Sequence, residues 1–376
     1  MREKNDVNMK TKGKKRILLF ALVMMMAVLL VGCGGDADDT GAKDGMRTVT
    51  DSEGRQVEIP EKVEKVACIG VGALRYTCYM DAADLVAGVE DYEKEQAISR
   101  PYNYINYDVF KELPVIGVKD EPNPELLIEA APDVIMMSMS IDMEADELQS
   151  KTGIPVVKIP HNDSMMDENA YETFELMGEV YGKEDRAREL MEYMDEVKAD
   201  LDERTGAIKD KDKDSVYIGG VSYKGAHGFD GTEAFYGPVE AINGVNLANE
   251  TGQEGPFNID LEQVLLWDPD VIFIDLNGMM LIQDHYSKNP EYYSQLSAVK
   301  KGKVYSQISF RSSASNLDTA LADAYYAGTV LYPKTFSDID PAEKTDEIFR
   351  NLLGSDFYDT LKENGYEFKE ITLGQE

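Results

Sequence analysis

The chain has 376 residues and a formal net charge of −33 at pH 7, from 71 acidic and 38 basic side chains. That length is enough for two domains with buried cores. So acidic a surface repels phosphate backbones, which excludes nucleic acid as a partner and otherwise describes a well-solvated exterior.

In chain order, Lys10, Lys12, Lys14, Lys15 and Arg16 precede the apolar run 17–31, the charge-then-apolar order of an export signal. The run closes on Leu30-Val31-Gly32-Cys33, similar to the bacterial lipoprotein box, in which a Cys after a small residue becomes the lipidated first residue. Residues 1–32 are expected to be a signal peptide and Cys33 the lipid-bearing residue, anchoring the chain on the extracytoplasmic face of a cell membrane. The apolar run is shorter than the roughly 20 residues that a spanning helix needs. Residues 33–47, rich in Gly, Asp, Ala, Thr and Lys, bury too little to order themselves and read as a flexible tether. Of the other cysteines, Cys68 falls on a strand and Cys78 on the next helix; the reading leans to two buried thiols over a disulfide.

Residues 48–60 alternate about a Ser-Glu-Gly turn and predict a hairpin. A strand over 63–69, the break Gly70-Val71-Gly72 and a helix over 73–83 follow, then a strand over 85–89. Residues 90–113 read as an irregular stretch whose tyrosines, Tyr102 and Tyr104 among them, face a ligand. Strands over 115–118, 134–137 and 156–159, with helical runs between them, complete a first α/β series.

Ala187, Leu190, Met191, Met194, Val197 and Leu201 recur at steps of three and four, which predicts a helix over 183–204 with one apolar stripe. At about 1.5 Å per residue it spans roughly 30 Å, about the width of a small domain. It is expected to cross the back of two lobes as their rigid connection. The series then restarts with a strand over 216–220, a helix over 232–242, and strands over 271–274 and 303–305. One phrase occurs on both sides of the helix: Glu125 stands seven residues before Pro132-Asp133-Val134-Ile135, and Glu262 seven before Pro269-Asp270-Val271-Ile272. Two copies are too few for a solenoid and suit two similarly built lobes. The organisation expected is a lobe over 48–182, a connecting helix over 183–205 and a lobe over 206–376, each lobe with a mostly parallel sheet.

Ligands in such folds sit beyond the carboxyl ends of strands. That rule selects the loops 70–75, 138–142, 222–233 and 306–316. The third carries Tyr223, Lys224, His227 and Phe229 between flexible glycines; the fourth carries Phe310 and Arg311, whose guanidinium forks onto a carboxylate or oxyanion. Arg75 is the candidate from the first loop. Each arginine reads equally well as a member of a surface ion pair. Three histidines, His161, His227 and His285, are too few for a bare-metal site. Tyr325-Tyr326 are neighbours on a helix and do not share a face, so both are packing residues. No phosphate-loop, nucleophile-elbow or zinc-protease motif occurs, so no enzymatic activity is expected.

The hairpin phrase Asp51-Ser52-Glu53-Gly54-Arg55-Gln56-Val57-Glu58-Ile59-Pro60, the paired Glu phrases and the long helix together resemble the substrate-binding lipoproteins of ABC importers for ferric siderophores, haem and cobalamin, over roughly residues 46–333. The resemblance implies a helix-bridged, two-lobed binding fold and a monomer that delivers solute to a permease and its ATPase. It implies that Glu125 and Glu262 dock onto permease arginines; without it they read as N-terminal helix residues favoured by the macrodipole. It does not imply the cargo. An iron complex or corrinoid would lie between Tyr102, Tyr104, Tyr223, Phe229 and Phe310, with Arg75, Lys224 and Arg311 meeting its anionic groups. The alternative is an oxyanion such as molybdate or tungstate, and, in a different class, an extracytoplasmic α/β hydrolase. No resident cofactor is expected; iron, cobalt or molybdenum would enter only as part of the solute.

Overall fold

The computed structural model describes residues 45–161 and 165–374, so Cys33 and the signal segment lie outside the described residues. The described residues begin inside the segment expected to be tether. Met46 and Arg47 already belong to β1 (Met46–Thr50), which pairs antiparallel with β2 (Gln56–Pro60) as the predicted hairpin. Arg47 is fixed there by donating to the carbonyls of Glu179 and Val180 at 2.8 and 3.0 Å.

The first lobe is built on β3 (Val66–Ile69), β4 (Val86–Glu90), β5 (Val115–Val118), β6 (Glu121–Pro122), β7 (Val134–Ser138) and β8 (Val156–Ile159), in the sheet order β6-β5-β4-β3-β7-β8. All pairings are parallel except β6 against β5. In the second lobe, β9 (Ser215–Gly219) is followed by β10 (Gly231–Ala234), β11 (Val245–Asn246), β12 (Gly255–Asn258), β13 (Val271–Asp275) and β14 (Val304–Gln307). There β11-β9-β13-β14 form an all-parallel sheet, and β10 and β12 form a separate antiparallel pair. The fold is α/β, two lobes of mostly parallel sheet joined by one helix, as the alternating pattern predicts. No helix among the described residues is long and apolar enough to cross a membrane.

The joining helix runs Glu184–Thr205 and contains neither Pro nor Gly, so nothing interrupts its hydrogen-bond ladder. Ala187, Leu190, Met194, Val197 and Leu201 are buried, and they belong to one continuous core that takes in Tyr79 and Phe174 from the first lobe and Tyr236 and Tyr325 from the second. Both of its ends are tied down by side-chain bonds. Near the start, Arg186 donates to Tyr79 O at 3.0 Å and to Asn351 O at 2.6 Å. Near the end, Arg204 forks onto Asp338 at 2.7 and 2.9 Å, and Tyr325 donates to Asp200 at 2.8 Å.

Each sheet is buried on both faces, as a parallel sheet must be. Val66 and Cys68 point into the shared core while Ala67 and Ile69 point the other way; Val271 and Phe273 repeat this against Ile272 and Ile274. The far face of each sheet is covered by a helix of the repeated phrase. Pro124–Ala130 places Leu127 there in the first lobe, and Leu261–Trp267 places Val264 in the second. Both helices stop on a left-handed residue, Ala131 and Asp268, followed by buried prolines that cannot continue a helix. The aspartates that follow pin the next strand to its neighbour. Asp133 accepts from the backbone N–H of Glu64 and Lys65 at 2.7 and 2.8 Å, and Asp270 from the N–H and hydroxyl of Ser215 at 3.1 and 2.8 Å. The phrase repeats because each copy solves the same problem.

Two expectations, the helix over 232–242 and the irregular stretch 90–113, are corrected, and those for the two thiols and for Tyr325 and Tyr326 hold. The helix predicted over 232–242 is instead β10 and a single turn, Gly237–Glu240, because Gly237 and Pro238 interrupt it and Phe235 turns at φ 55°. The stretch 90–113 is not irregular: Pro101–Phe110 is a helix with Pro at its first position. Cys68 and Cys78 are buried free thiols. Tyr325 and Tyr326 are packed, the latter stacked on Phe368 at 4.3 Å.

After the helix Leu317–Leu331 the chain adds the helices Pro341–Leu353 and Tyr358–Glu363, then a tail that reaches the edge of the second sheet. Ser306 N donates to Lys369 O at 3.0 Å and Ile371 N to Val304 O at 2.8 Å, so the tail covers the open edge of β14.

Candidate functional site

Four strand ends meet between the lobes. Lys119 follows β5, the loop from Ser222 follows β9, Asn277 follows β13 and the loop from Phe310 follows β14. Together they enclose a cleft of about 600 Å³, lined by Lys119, Ser222, Tyr223, Lys224, Gly225, Ala226, Asn277, Arg311, Ser312 and Ser313. A groove of about 720 Å³ lies under the C-terminal tail, among Leu276, Met279, Tyr286 and Ile371, but it is lined by the second lobe alone.

Lys119 reaches across from the first lobe. Its Nζ donates to Ser313 Oγ at 2.9 Å and stands 5.1 Å from the centre of the Tyr92 ring. The backbone beneath it is held by acids. Asp91 accepts from Lys119 N at 3.0 Å, and buried Glu90 accepts from Asp120 N at 2.7 Å and Gly70 N at 3.0 Å. Burial pushes the Glu90 carboxyl up to about 8 against those two N–H bonds. On the facing side Lys224 is exposed and holds φ 49°, so its ammonium is carried on a tightly turned backbone.

Arg311 lies at the cleft floor with its fork on buried Glu233: Nε donates to Oε2 at 2.6 Å and Nη2 to Oε1. Glu233 offsets most of its charge, and the face of the guanidinium lies 5.2 Å from the centre of the Phe310 ring. Behind it lies a polar layer. Asp275 accepts from Ser309 Oγ and from Asn277 N at 2.9 Å, and burial pushes its carboxyl up to about 7. Asp323, fully buried, accepts from Ile308 N at 2.8 Å and is likewise raised by burial.

Of the residues expected to bind ligand, the structure gathers Tyr223, Lys224 and Arg311 at the cleft. The others are elsewhere. Tyr102 is buried and donates to Glu93 at 2.6 Å, and Tyr104 packs edge-on against Phe357 at 5.5 Å. Phe229 sits in the core among Tyr217, Tyr292 and Tyr293, and Phe310 is buried against Tyr236. His227 stacks on Tyr223 at 4.0 Å with Nε2 2.9 Å from Tyr223 O, which stiffens the rim without lining the cleft. Arg75 is fully buried and does not line the cleft either. Lys119 and Asn277 were absent from the sequence reading, although the strand-end rule applied to β5 and β13 identifies both. Among the described residues no group of three or more His, Cys, Asp or Glu could hold a metal ion.

Glu125 and Glu262 stand in the first turns of the two equivalent helices, each capped by the residue two places earlier. Asn123 accepts from Glu125 N at 3.0 Å and Asp260 from Glu262 N at 2.9 Å. Both carboxylates are exposed, and neither forms an ion pair among the described residues.

The profile of the periplasmic binding protein family matches residues 79–307. An uncharacterized ABC transporter substrate-binding lipoprotein of Bacillus subtilis, YvrC, is 25% identical over 305 residues, spanning 78% of this chain and 90% of its own. The Fe(3+)-citrate-binding protein YfmC of the same organism is 23% identical, over 79% of this chain and 90% of its own. The molybdate-binding protein MolA of Haemophilus influenzae is 24% identical, over 81% and 90%. Among solved structures, a periplasmic solute binding protein from Veillonella parvula superposes with a TM-score of 0.67 at 18% identity, over 84% of this chain and 95% of that one. Molybdate-bound MolA gives 0.63 at 20% identity, over 82% and 98%.

Proposed function

Because the chain belongs to the periplasmic binding protein family, we propose that it captures a hydrophilic, anionic iron complex between its lobes and delivers it to an ABC permease. It is a binding protein and not an enzyme: the extracytoplasmic solute-binding component of an ABC transporter. In this reading Cys33 carries the lipid anchor, and Glu125 and Glu262 meet cations of the permease, one from each lobe.

The observation that carries the choice of solute is the make-up of the cleft. Lys119 and Lys224 line it from opposite lobes, with the polar side chains of Tyr223, Asn277, Ser312 and Ser313 beside them. Ammonium and hydroxyl donors suit carboxylate or other oxygen-rich ligand shells around a metal. Tyr102, Phe229 and Phe310 are in the core, which leaves Tyr223 as the one aromatic side chain lining the cleft among the described residues, too little to wall haem or a corrinoid. About 600 Å³ lies within the range for drug-sized ligands and well above the room needed by a tetrahedral oxyanion. A ferric complex of a hydroxy-carboxylate fits this description, and the similarity to a ferric citrate binder supports it. Molybdate is the second reading, supported by the serine donors and the similarity to MolA.

The test is a panel of ferric citrate, haem, cobalamin and molybdate, followed by thermal shift and visible absorbance. The one tryptophan, Trp267, does not line the cleft, so its emission is the poorer reporter. Ferric citrate is expected to raise the melting temperature and haem and cobalamin to leave it unchanged. Saturation by molybdate without any response to ferric citrate would replace the first reading by the second, and tight haem binding would remove both.

A further inference from the structure

The loop 311–315 that supplies Arg311, Ser312 and Ser313 to the cleft has an unfavourable shape. Ser313 and Ala314 are both left-handed, at φ 52° and 65°, and neither is glycine. Two consecutive side-chain-bearing residues in this region crowd Cβ against the following carbonyl. The loop's own bonds, an Arg311 to Ser315 bridge and Ser312 N to Ala314 O at 3.1 Å, close it without relieving that crowding.

What holds it comes from the other lobe. Arg75, on the helix Ala73–Tyr79, sends Nη2 to Ser312 O at 2.6 Å and to Ser313 O at 2.7 Å, and Nε to Asn316 Oδ1 at 2.8 Å. Its carbon lies 5.0 Å from the centre of the Tyr102 ring, and Tyr102 is itself fixed by Glu93, so the guanidinium has a rigid plate behind it. Carbonyls of consecutive residues converge on one donor only when the chain between them turns sharply. Asn316 then passes the restraint on, donating to Phe310 O at 3.1 Å at the other end of the loop.

We propose that Arg75 is a positioning residue for solute binding: from the first lobe it templates the left-handed loop 311–315 of the second, and so sets where Ser312, Ser313 and Arg311 meet the solute. This rests on the cleft being the solute site. Because the template and the loop belong to different lobes, the loop takes its binding shape only while the lobes are apposed, which links affinity to their apposition through one buried side chain.

The experiment uses Arg75→Lys, which keeps the charge and loses the fork, and Ala314→Gly, which removes the crowding at φ 65° from a residue that does not line the cleft. Hydrogen exchange of the unliganded full chain is read at the amides of 312–316 and of the joining helix, and ferric citrate is the solute probe. Arg75→Lys is expected to speed exchange at 312–316 at least tenfold, to leave the joining helix protected, and to weaken ferric citrate about tenfold. Adding Ala314→Gly to that variant is expected to restore most of both. Unchanged exchange at 312–316, an equal rise in the joining helix, or no recovery on adding Ala314→Gly would each overturn the proposal. Arg75→Gln carries the same expectations where Arg75→Lys does not fold, and failure of both that Ala314→Gly does not rescue assigns Arg75 to the core alone. If the wild type ignores ferric citrate, the solute reading fails while the exchange measurements still decide the role of Arg75.

Discussion

Exchanging both Glu125 and Glu262 for Ala separates docking from solute capture. Each carboxylate is exposed, lacks an ion pair among the described residues and stands in a first helical turn whose cap is supplied by Asn123 or Asp260, so the helices keep their caps. The intramolecular loss is the favourable contact with the helix N-terminus, about 0.3–1 kcal/mol each. Against a cation of the permease, a charge-assisted hydrogen bond contributes about 1.5 kcal/mol or more. The two sites are on different lobes and share no partner, so their losses add to about 3 kcal/mol, roughly a hundredfold in association. Solute affinity is expected to be unchanged, because neither residue lines the cleft. The assays are a ferric citrate titration on the double variant, its binding to the permease in nanodiscs across a salt series, and uptake into proteoliposomes. Wild-type association should weaken as salt rises and the variant's should depend on salt less, since screening acts on charges no longer there. Loss of solute affinity with normal docking would refute the reasoning and move both glutamates into the solute site.

Two further outcomes follow from buried acids of the two lobes and from the backbone beside the cleft. Glu90 and Asp275 are raised by burial to about 8 and about 7, so the folded chain holds their protons more tightly than the unfolded chain. Stability from this source is complete below about pH 4 and is lost as pH rises towards 8, on the order of 5 kcal/mol between pH 5.5 and 8. Asp338, held near 2 by Arg204, works in the opposite sense but only in acid. Urea midpoints should therefore fall from pH 5.5 to 8 and fall less steeply in Glu90→Gln with Asp275→Asn, where buried Asp323 remains; a wild-type profile flat over that range contradicts the assignment. Gly278→Ala tests the backbone contact beside Asn277, where an added Cβ would come within 2.5 Å of Gly220 Cα and 2.6 Å of His227 O. Both neighbours are backbone, so the strand end or the loop must shift, with an expected loss of about 1–3 kcal/mol by chemical denaturation and weaker ferric citrate binding. Wild-type values for both would show that the close approach is not required.

The scaffold was legible because its signals are local and repeated. A 22-residue helix without Pro or Gly declares itself by its stripe, and two copies of one phrase declare two lobes. The cleft was harder to read, because burial depends on contacts far apart in sequence. Phe229 and Tyr102 look like ligand aromatics when only their neighbours in the chain are seen, yet one packs on Tyr293 and the other backs Arg75. Residues 232–242 fail as a helix at Phe235, whose positive φ is held by Asn249, fourteen residues away, accepting from Phe235 N at 2.7 Å. Lys119 was missed for a different reason: it occupies the short turn between β5 and β6, where a lone lysine in an acidic chain reads as surface.

Mobility of the lobes is limited by more than the joining helix. The C-terminal helices form a second bridge: Phe349 and Phe357 pack with Ile98, Tyr104 and Ile105 of the first lobe and with Ile308 of the second, while Arg186 ties Asn351 to Tyr79. A third connection is at the cleft, where Arg75 and Lys119 both donate to the loop 311–315. A hinge needs an axis about which no contact is strained, and three separated ties leave little freedom for one. Wide opening would break the buried fork of Arg75, whereas a small rocking motion needs to release only the exposed contact of Lys119 with Ser313. In the proposed reading that lysine is also the first-lobe group that meets the solute, so an arriving anion competes for its bond to Ser313. Binding is then governed by exchange of one ammonium between Ser313 and the solute, within a site the buried contacts have already shaped.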